Sequence, residues 1–128
     1  MRSRTIVVAA IAVTGVFSAG AGAAELTPTD VTIKGENGDY HGRVDSSKRC
    51  ESNRSVVVYK MTGAKPKPSQ DRKIGSDTTD QNGNWSIGNS GYKHGKFYAR
   101  AAKREFARPA AARAAGDCAA GTSDVLKR

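Results

Sequence analysis

Ser76-Asp77-Thr78-Thr79-Asp80-Gln81-Asn82-Gly83-Asn84-Trp85 sets two aspartates, two asparagines and a glycine ahead of the chain's only tryptophan. Three chemistries use residues of these types: oxygen coordination of calcium, acid–base catalysis by paired carboxylates, and a tight turn. A calcium loop of the EF-hand kind needs oxygen ligands at positions 1, 3 and 5, glycine at 6 and a bidentate Glu at 12. With Gly83 at position 6, Thr78 falls at 1, Asp80 at 3, Asn82 at 5 and Asn89 at 12. The first and last ligands are wrong. Asp77 and Asp80 would work as an acid–base pair only if burial or crowding split their pKa values, and so polar a stretch promises no cleft. The turn remains. Asp80 caps its own backbone, Asn82 tolerates left-handed geometry, and Gly83 adopts positive φ without strain. Trp85 and Ile87 then point inward as a strand begins. Asp80, Gly83 and Trp85 are therefore read as turn and core residues of a hairpin, with no catalytic role.

The two histidines, His41 and His94, are the other candidates for proton chemistry. With Glu36 and Arg100 they supply the residue types of a nuclease-like phosphate site. Each lies beside a glycine-containing turn or on a strand next to one, so surface exposure is the simpler reading. A structural zinc site needs four ligands, and two histidines with two distant cysteines do not supply it. No serine-nucleophile elbow is present. No catalytic residue, metal or cofactor is assigned.

The ends of the chain speak to location. Arg2 and Arg4 precede an apolar run from Ile6 to Phe17, and Ala21-Gly22-Ala23 follows the small-x-small rule. This is the three-part pattern of a secretory signal, too short in its apolar part to span a bilayer. Residues 1–24 are read as a signal peptide, cleaved after Ala23 or Ala24. Residues 25–128 then form one secreted domain with a single modest core. Losing Arg2 and Arg4 takes the formal net charge from +9 to +7. Cys50 and Cys118 are the only cysteines, and in an oxidising compartment they most simply form one disulfide. Closing a loop of that length stabilises by roughly 4 kcal/mol on the chain-entropy model.

Seven short β-branched or alternating segments must position these residues: 30–35, 40–46, 55–61, 71–79, 84–88, 95–102 and 123–128. Ser55–Met61 carries three successive valines and reads as the central strand, and 71–79 as an edge. Their spacing, broken by Gly, Asn and Asp, predicts an all-β sandwich. Residues 103–121 read as a long basic loop tied down by Cys118.

The ordered motifs Gly42-Arg43-Val44, Val56-Val57-Val58-Tyr59, Thr79-Asp80-x-x-Gly83-x-Trp85 and Gly95-Lys96-Phe97-Tyr98-Ala99 resemble the carboxypeptidase regulatory-like, or transthyretin-like, family. The resemblance covers about residues 38–102. It implies a seven-stranded Greek-key sandwich, extracellular and non-catalytic, acting as a folding or binding accessory. Asn53-Arg54-Ser55 replaces the family's usual Gly-Ala before the second strand, and the cysteine pair is an addition. No ligand-binding residue carries over.

Positive charge is the remaining feature. Lys60, Lys65, Lys67, Arg72 and Lys73 cluster around one loop, and Lys103, Arg104, Arg108 and Arg113 around another. For an exported protein the matching partners are anionic wall polymers or acidic polysaccharide. Nucleic acid fits less well, because readers of it add exposed aromatics or a recognition helix. The sequence thus points to a secreted, non-enzymatic binding or structural module. The alternatives are a small secreted hydrolase and a cationic effector acting at envelopes.

Overall fold

The computed structural model describes residues 26–106 and 116–128. The signal-peptide reading of residues 1–24, and Arg108 and Arg113, lie outside the described residues. The elements are β1 (Asp30–Val31), β2 (Lys34–Glu36), β3 (Asp39–Asp45), a one-turn helix α1 (Lys48–Glu51), β4 (Ser55–Lys60), β5 (Arg72–Thr78), β6 (Asn84–Ile87), β7 (Lys96–Ala101), β8 (Gly121–Thr122) and β9 (Leu126–Lys127). They form two antiparallel sheets. In one, β3 pairs with β6 and with β1 and β2. In the other, β4 lies between β5 and β7, and β7 also pairs with β8 and β9.

The apolar alternation of each strand explains the stacking. Tyr40, Val44, Trp85 and Ile87 of the first sheet meet Val56, Val58, Phe97, Ala99 and Ala101 of the second in one core. Tyr40 and Phe97 cross between the sheets with ring centroids 4.7 Å apart. The valine-rich segment is internal to its sheet, and the polar 71–79 segment holds an edge strand, as the sequence predicts.

Nine strands stand where seven are expected: the first, expected at 30–35, is split into β1 and β2, and the last, expected at 123–128, is β9 preceded by the unexpected β8, so β1–β2 and β8–β9 are two interrupted edges. The same device breaks both. At Thr32 the backbone N–H donates to Arg43 O (2.9 Å), but the Arg43 N–H donates to the Thr32 hydroxyl oxygen (3.0 Å) instead of to a carbonyl. At Ser123 the backbone N–H donates to Ala99 O (2.8 Å), and the Ala99 N–H donates to Ser123 Oγ (2.8 Å). Each hydroxyl replaces its own carbonyl in the ladder, which interrupts the pairing there. Across Thr32 the register to β3 is unchanged, with Val31 facing Val44 and Lys34 facing His41. Between β8 and β9 the register to β7 shifts by one residue. The released Thr32 carbonyl lies 1.8 Å from where a Cβ of residue 42 would stand, so only glycine fits at Gly42.

The turn at 80–84 forms as predicted. Asp80 Oδ1 accepts the N–H groups of Asn82 (2.8 Å) and Asn84 (3.0 Å), and Asp80 N–H donates to Asn84 O (3.0 Å). It is not a hairpin, however. β5 and β6 belong to different sheets, so the turn carries the chain across the sandwich. Asp77 links these two edges by accepting the Ser86 N–H at 2.9 Å. Trp85 is buried.

Cys50 and Cys118 are joined, with Cα atoms 5.6 Å apart. Beside them lies Arg54, whose whole side chain is buried. Its guanidinium donates to Ala102 O from Nε (3.1 Å) and Nη2 (2.9 Å), to Ala119 O (2.6 Å), to Cys50 O (2.9 Å) and to Thr29 Oγ1 (3.2 Å). No described carboxylate pairs with it.

Two outcomes follow for stability, both read by thermal or urea unfolding with the disulfide intact. Arg54→Ala removes the donors to the Cys50, Ala102 and Ala119 carbonyls, leaves a cavity and lowers stability by about 3 kcal/mol or more. Arg54→Lys does not restore it, because an ammonium cannot span acceptors on four segments. Gly83→Ala is destabilising as well: Gly83 has φ 83°, and a Cβ there would lie 2.3 Å from Val44 O.

Candidate functional site

The strand order decides which charges meet. β4 and β7 run antiparallel, with Lys60 opposite Phe97 and Val56 opposite Ala101. Lys60 therefore lies at one end of the sandwich, and Lys103 and Arg104 at the other, about 17 Å away at the rise of a strand. The two basic clusters do not share a face in their described members. Arg104 is half-buried and donates to the carbonyls of Ser52 (3.0 Å) and Asn53 (2.9 Å). Lys103 pairs with Glu105 at 3.0 Å. Both engage neighbours at their own end, and neither lies at the Lys60 end.

The Lys60 end collects charge that sequence spacing does not reveal. Loop 61–71 brings Lys65 and Lys67, and β5 starts with Arg72 and Lys73. Loop 88–95 adds Lys93, β7 starts at Lys96, and the last strand ends beside Lys127 and Arg128. Gly95 and Arg128 exchange backbone hydrogen bonds (2.8 and 2.9 Å), which brings the last of these to the same end. Glu36, Asp39 and Asp71 are the described side-chain carboxylates there. Between described residues there are two ion pairs, Arg43–Asp45 and Lys103–Glu105, and both belong to other parts of the molecule. The cations of this end have no described carboxylate partner.

One carboxylate organises the basic loop. Asp71 is buried. Its Oδ1 accepts the Thr62 N–H (3.0 Å) and hydroxyl (3.2 Å), and its Oδ2 accepts the Lys67 N–H (2.7 Å) and the Tyr98 hydroxyl (2.5 Å). Tyr98 stacks on Tyr59 with centroids 5.2 Å apart, both buried yet outside the central core. The loop is thereby fastened over the outer face of the second sheet. Burial alone would raise the Asp71 carboxyl. The hydrogen bonds from Tyr98, Lys67 and Thr62 outweigh it and hold the pKa below the ordinary aspartate value. The Tyr98 hydroxyl is pushed up, first by burial and then by this bond and the charge of Asp71.

At the mouth of the sandwich, Lys60 and Arg72 are direct cross-strand neighbours. The Lys60 ammonium lies 5.6 Å and the Arg72 guanidinium carbon 5.5 Å from the centroid of the Tyr92 ring. Tyr92 is held in place by its carbonyl, which accepts the Tyr40 hydroxyl at 2.7 Å.

The histidines do not converge. His41 lies on the exposed side of β3, and His94 in loop 88–95. His41 shares an open groove with Asp77, Asp80 and Ser86, but both carboxylates already accept backbone N–H groups. No cluster of metal-ligating side chains exists among the described residues. No described helix is long and apolar enough to cross a membrane. Compared with protein-family models, curated proteins and solved structures, the chain finds no match.

The depressed Asp71 pKa sets a pH signature. Its stabilisation is present above the ordinary aspartate range and is lost as pH falls through the lower, folded value. Asp71→Asn is therefore less stable than the wild type at pH 7. The gap narrows below the ordinary value of 3.8. Unfolding curves for both proteins between pH 7 and pH 2 measure it, and a gap independent of pH contradicts the assignment.

Proposed function

We propose that the protein is an exported, non-enzymatic β-sandwich module of the transthyretin-like type, whose basic end holds an acidic polysaccharide. The observation that carries this reading is the gathering of unpaired cations from four chain segments at one end of the fold. Summed over that end, the charge raises the local concentration of a polyanion and steers its approach. Lysine predominates there, which suits the spaced, hydrated charges of a polysaccharide. Nucleic acid fits less well: Tyr40, Tyr59, Tyr98, Phe97 and Trp85 are buried, so few rings remain as a stacking platform. The disulfide and the tripartite N-terminal segment support export. The transthyretin-like reading is supported by where its motifs fall: on β3, β4, the inter-sheet turn and β7. With β1–β2 and β8–β9 each taken as one interrupted strand, the count returns to the seven of that family.

Retention on immobilised polygalacturonate tests the reading. The mature protein is retained at low salt and released steeply as salt rises, because the Debye length shrinks to about 8 Å near 0.15 M. Lys65→Glu/Lys67→Glu/Lys93→Glu at the basic end abolishes retention, and Lys103→Glu at the opposite end does not. Absence of wild-type retention even at low salt refutes the polymer reading.

A further inference from the structure

Within the basic end, one pair of cations is arranged unlike the rest. Lys65, Lys67, Lys73, Lys93, Lys96 and Lys127 are exposed on loops and strand ends. Lys60 and Arg72 instead face each other across adjacent strands. Like charges directly opposite one another are destabilising. Neither side chain has a hydrogen-bond acceptor or ion-pair partner among the described residues. Both are brought to one aromatic ring, and the negative face of such a ring offsets part of the repulsion. The pair is also held in place. Lys60 is half-buried, its stem crosses Gly95, and the next residue is anchored by Met61 N–H to Lys96 O at 2.8 Å. Arg72 follows Asp71, which is fixed by four hydrogen bonds.

We infer that Lys60, Arg72 and Tyr92 form a discrete subsite for the carboxylate or sulfate of one acidic sugar unit. It rests on the polysaccharide reading of the basic end and gives that reading its point of recognition. An oxyanion set between the two cations takes a forked contact from the guanidinium and a point contact from the ammonium. It also removes their mutual repulsion. Tyr92 keeps the two donors near one another and presents an apolar ring edge beside the sugar. The surrounding lysines then supply long-range attraction, and the subsite supplies the contact that survives moderate salt.

Two measurements test this. The first titrates inorganic sulfate into the wild-type protein and follows side-chain NMR signals. Saturable shifts confined to the Lys60 ε-CH2, the Arg72 Nε–H and the Tyr92 ring support the subsite. Shifts spread evenly over all the lysines overturn it. The second compares binding of a galacturonate tetramer near 0.15 M salt. Lys60→Gln/Arg72→Gln loses at least about tenfold in affinity, whereas Lys65→Gln/Lys67→Gln, which removes equal charge from the same end, loses no more than a few-fold. Equal losses overturn the subsite while leaving the basic end as the binding surface. Arg72→Gln alone, at an exposed position, gives the same direction should the double variant fold poorly. Should the tetramer not bind while sulfate still maps to the three residues, the polymer reading fails and the anion subsite stands. Tighter binding of single-stranded DNA than of the tetramer, with the same dependence on Lys60 and Arg72, overturns the assignment to an acidic sugar. A carboxylate tetramer set against a sulfated one identifies which oxyanion the site prefers.

Discussion

A guanidinium buried without a carboxylate partner is the constraint on which the rest of this fold depends. Removing a charge from water is costly unless its donors are all engaged. Arg54 meets that requirement only when Thr29, Cys50, Ala102 and Ala119 are all in place around it. These residues precede β1, lie in α1, follow β7 and precede β8. Burial first, and the nearby charge of Arg104 second, lower its pKa from the ordinary arginine value. The Cys50–Cys118 bond closes over the same spot. Hydrogen bonding supplies orientation there, and the covalent link limits how far the segments separate in the unfolded chain.

The two ends of the sandwich are thereby built on opposite principles. At the Arg54 end, charges are spent internally. Lys103 pairs with Glu105, Arg104 is taken up by carbonyls, and the Arg49 guanidinium lies 3.6 Å above the Phe106 ring. At the Lys60 end, the buried carboxylate of Asp71 takes its hydrogen bonds from Tyr98, Thr62 and the Lys67 backbone and makes no described ion pair. That end carries uncompensated positive charge, which costs some stability through self-repulsion. The Arg54 end, held by hydrogen bonds and the disulfide, is joined to it through one continuous core.

Much of this was legible in the sequence. Alternation and turn residues located nearly every strand, because a half-buried strand must alternate. Asp80, Gly83 and Trp85 took the roles their chemistry dictates, and two lone cysteines had one pairing open to them. Three things were hidden. The broken edge strands depend on a threonine and a serine replacing carbonyls across the sheet, which no local pattern marks. Arg54 reads as a surface residue between Asn53 and Ser55, since its acceptors come from distant segments. The charged end was half visible: Lys60 to Lys73 are neighbours in sequence, but Lys93, Lys96, Lys127 and Arg128 join them only through strand order. That same order separates Lys103 and Arg104 from the group.

The hydroxyl substitutions at Thr32 and Ser123 bear on how copies of the chain behave together. An unbroken edge strand offers a row of N–H and C=O groups at regular spacing, a template on which another chain can extend the sheet. Here both edges on that side of the sandwich are interrupted part-way along, at Thr32 and at Ser123, and at the second the register to β7 also shifts by one residue. An incoming strand meets an irregular stretch at each break, so it gains fewer hydrogen bonds than an unbroken edge would offer. Such interrupted edges let copies of a domain come close without one copy templating a strand on the next.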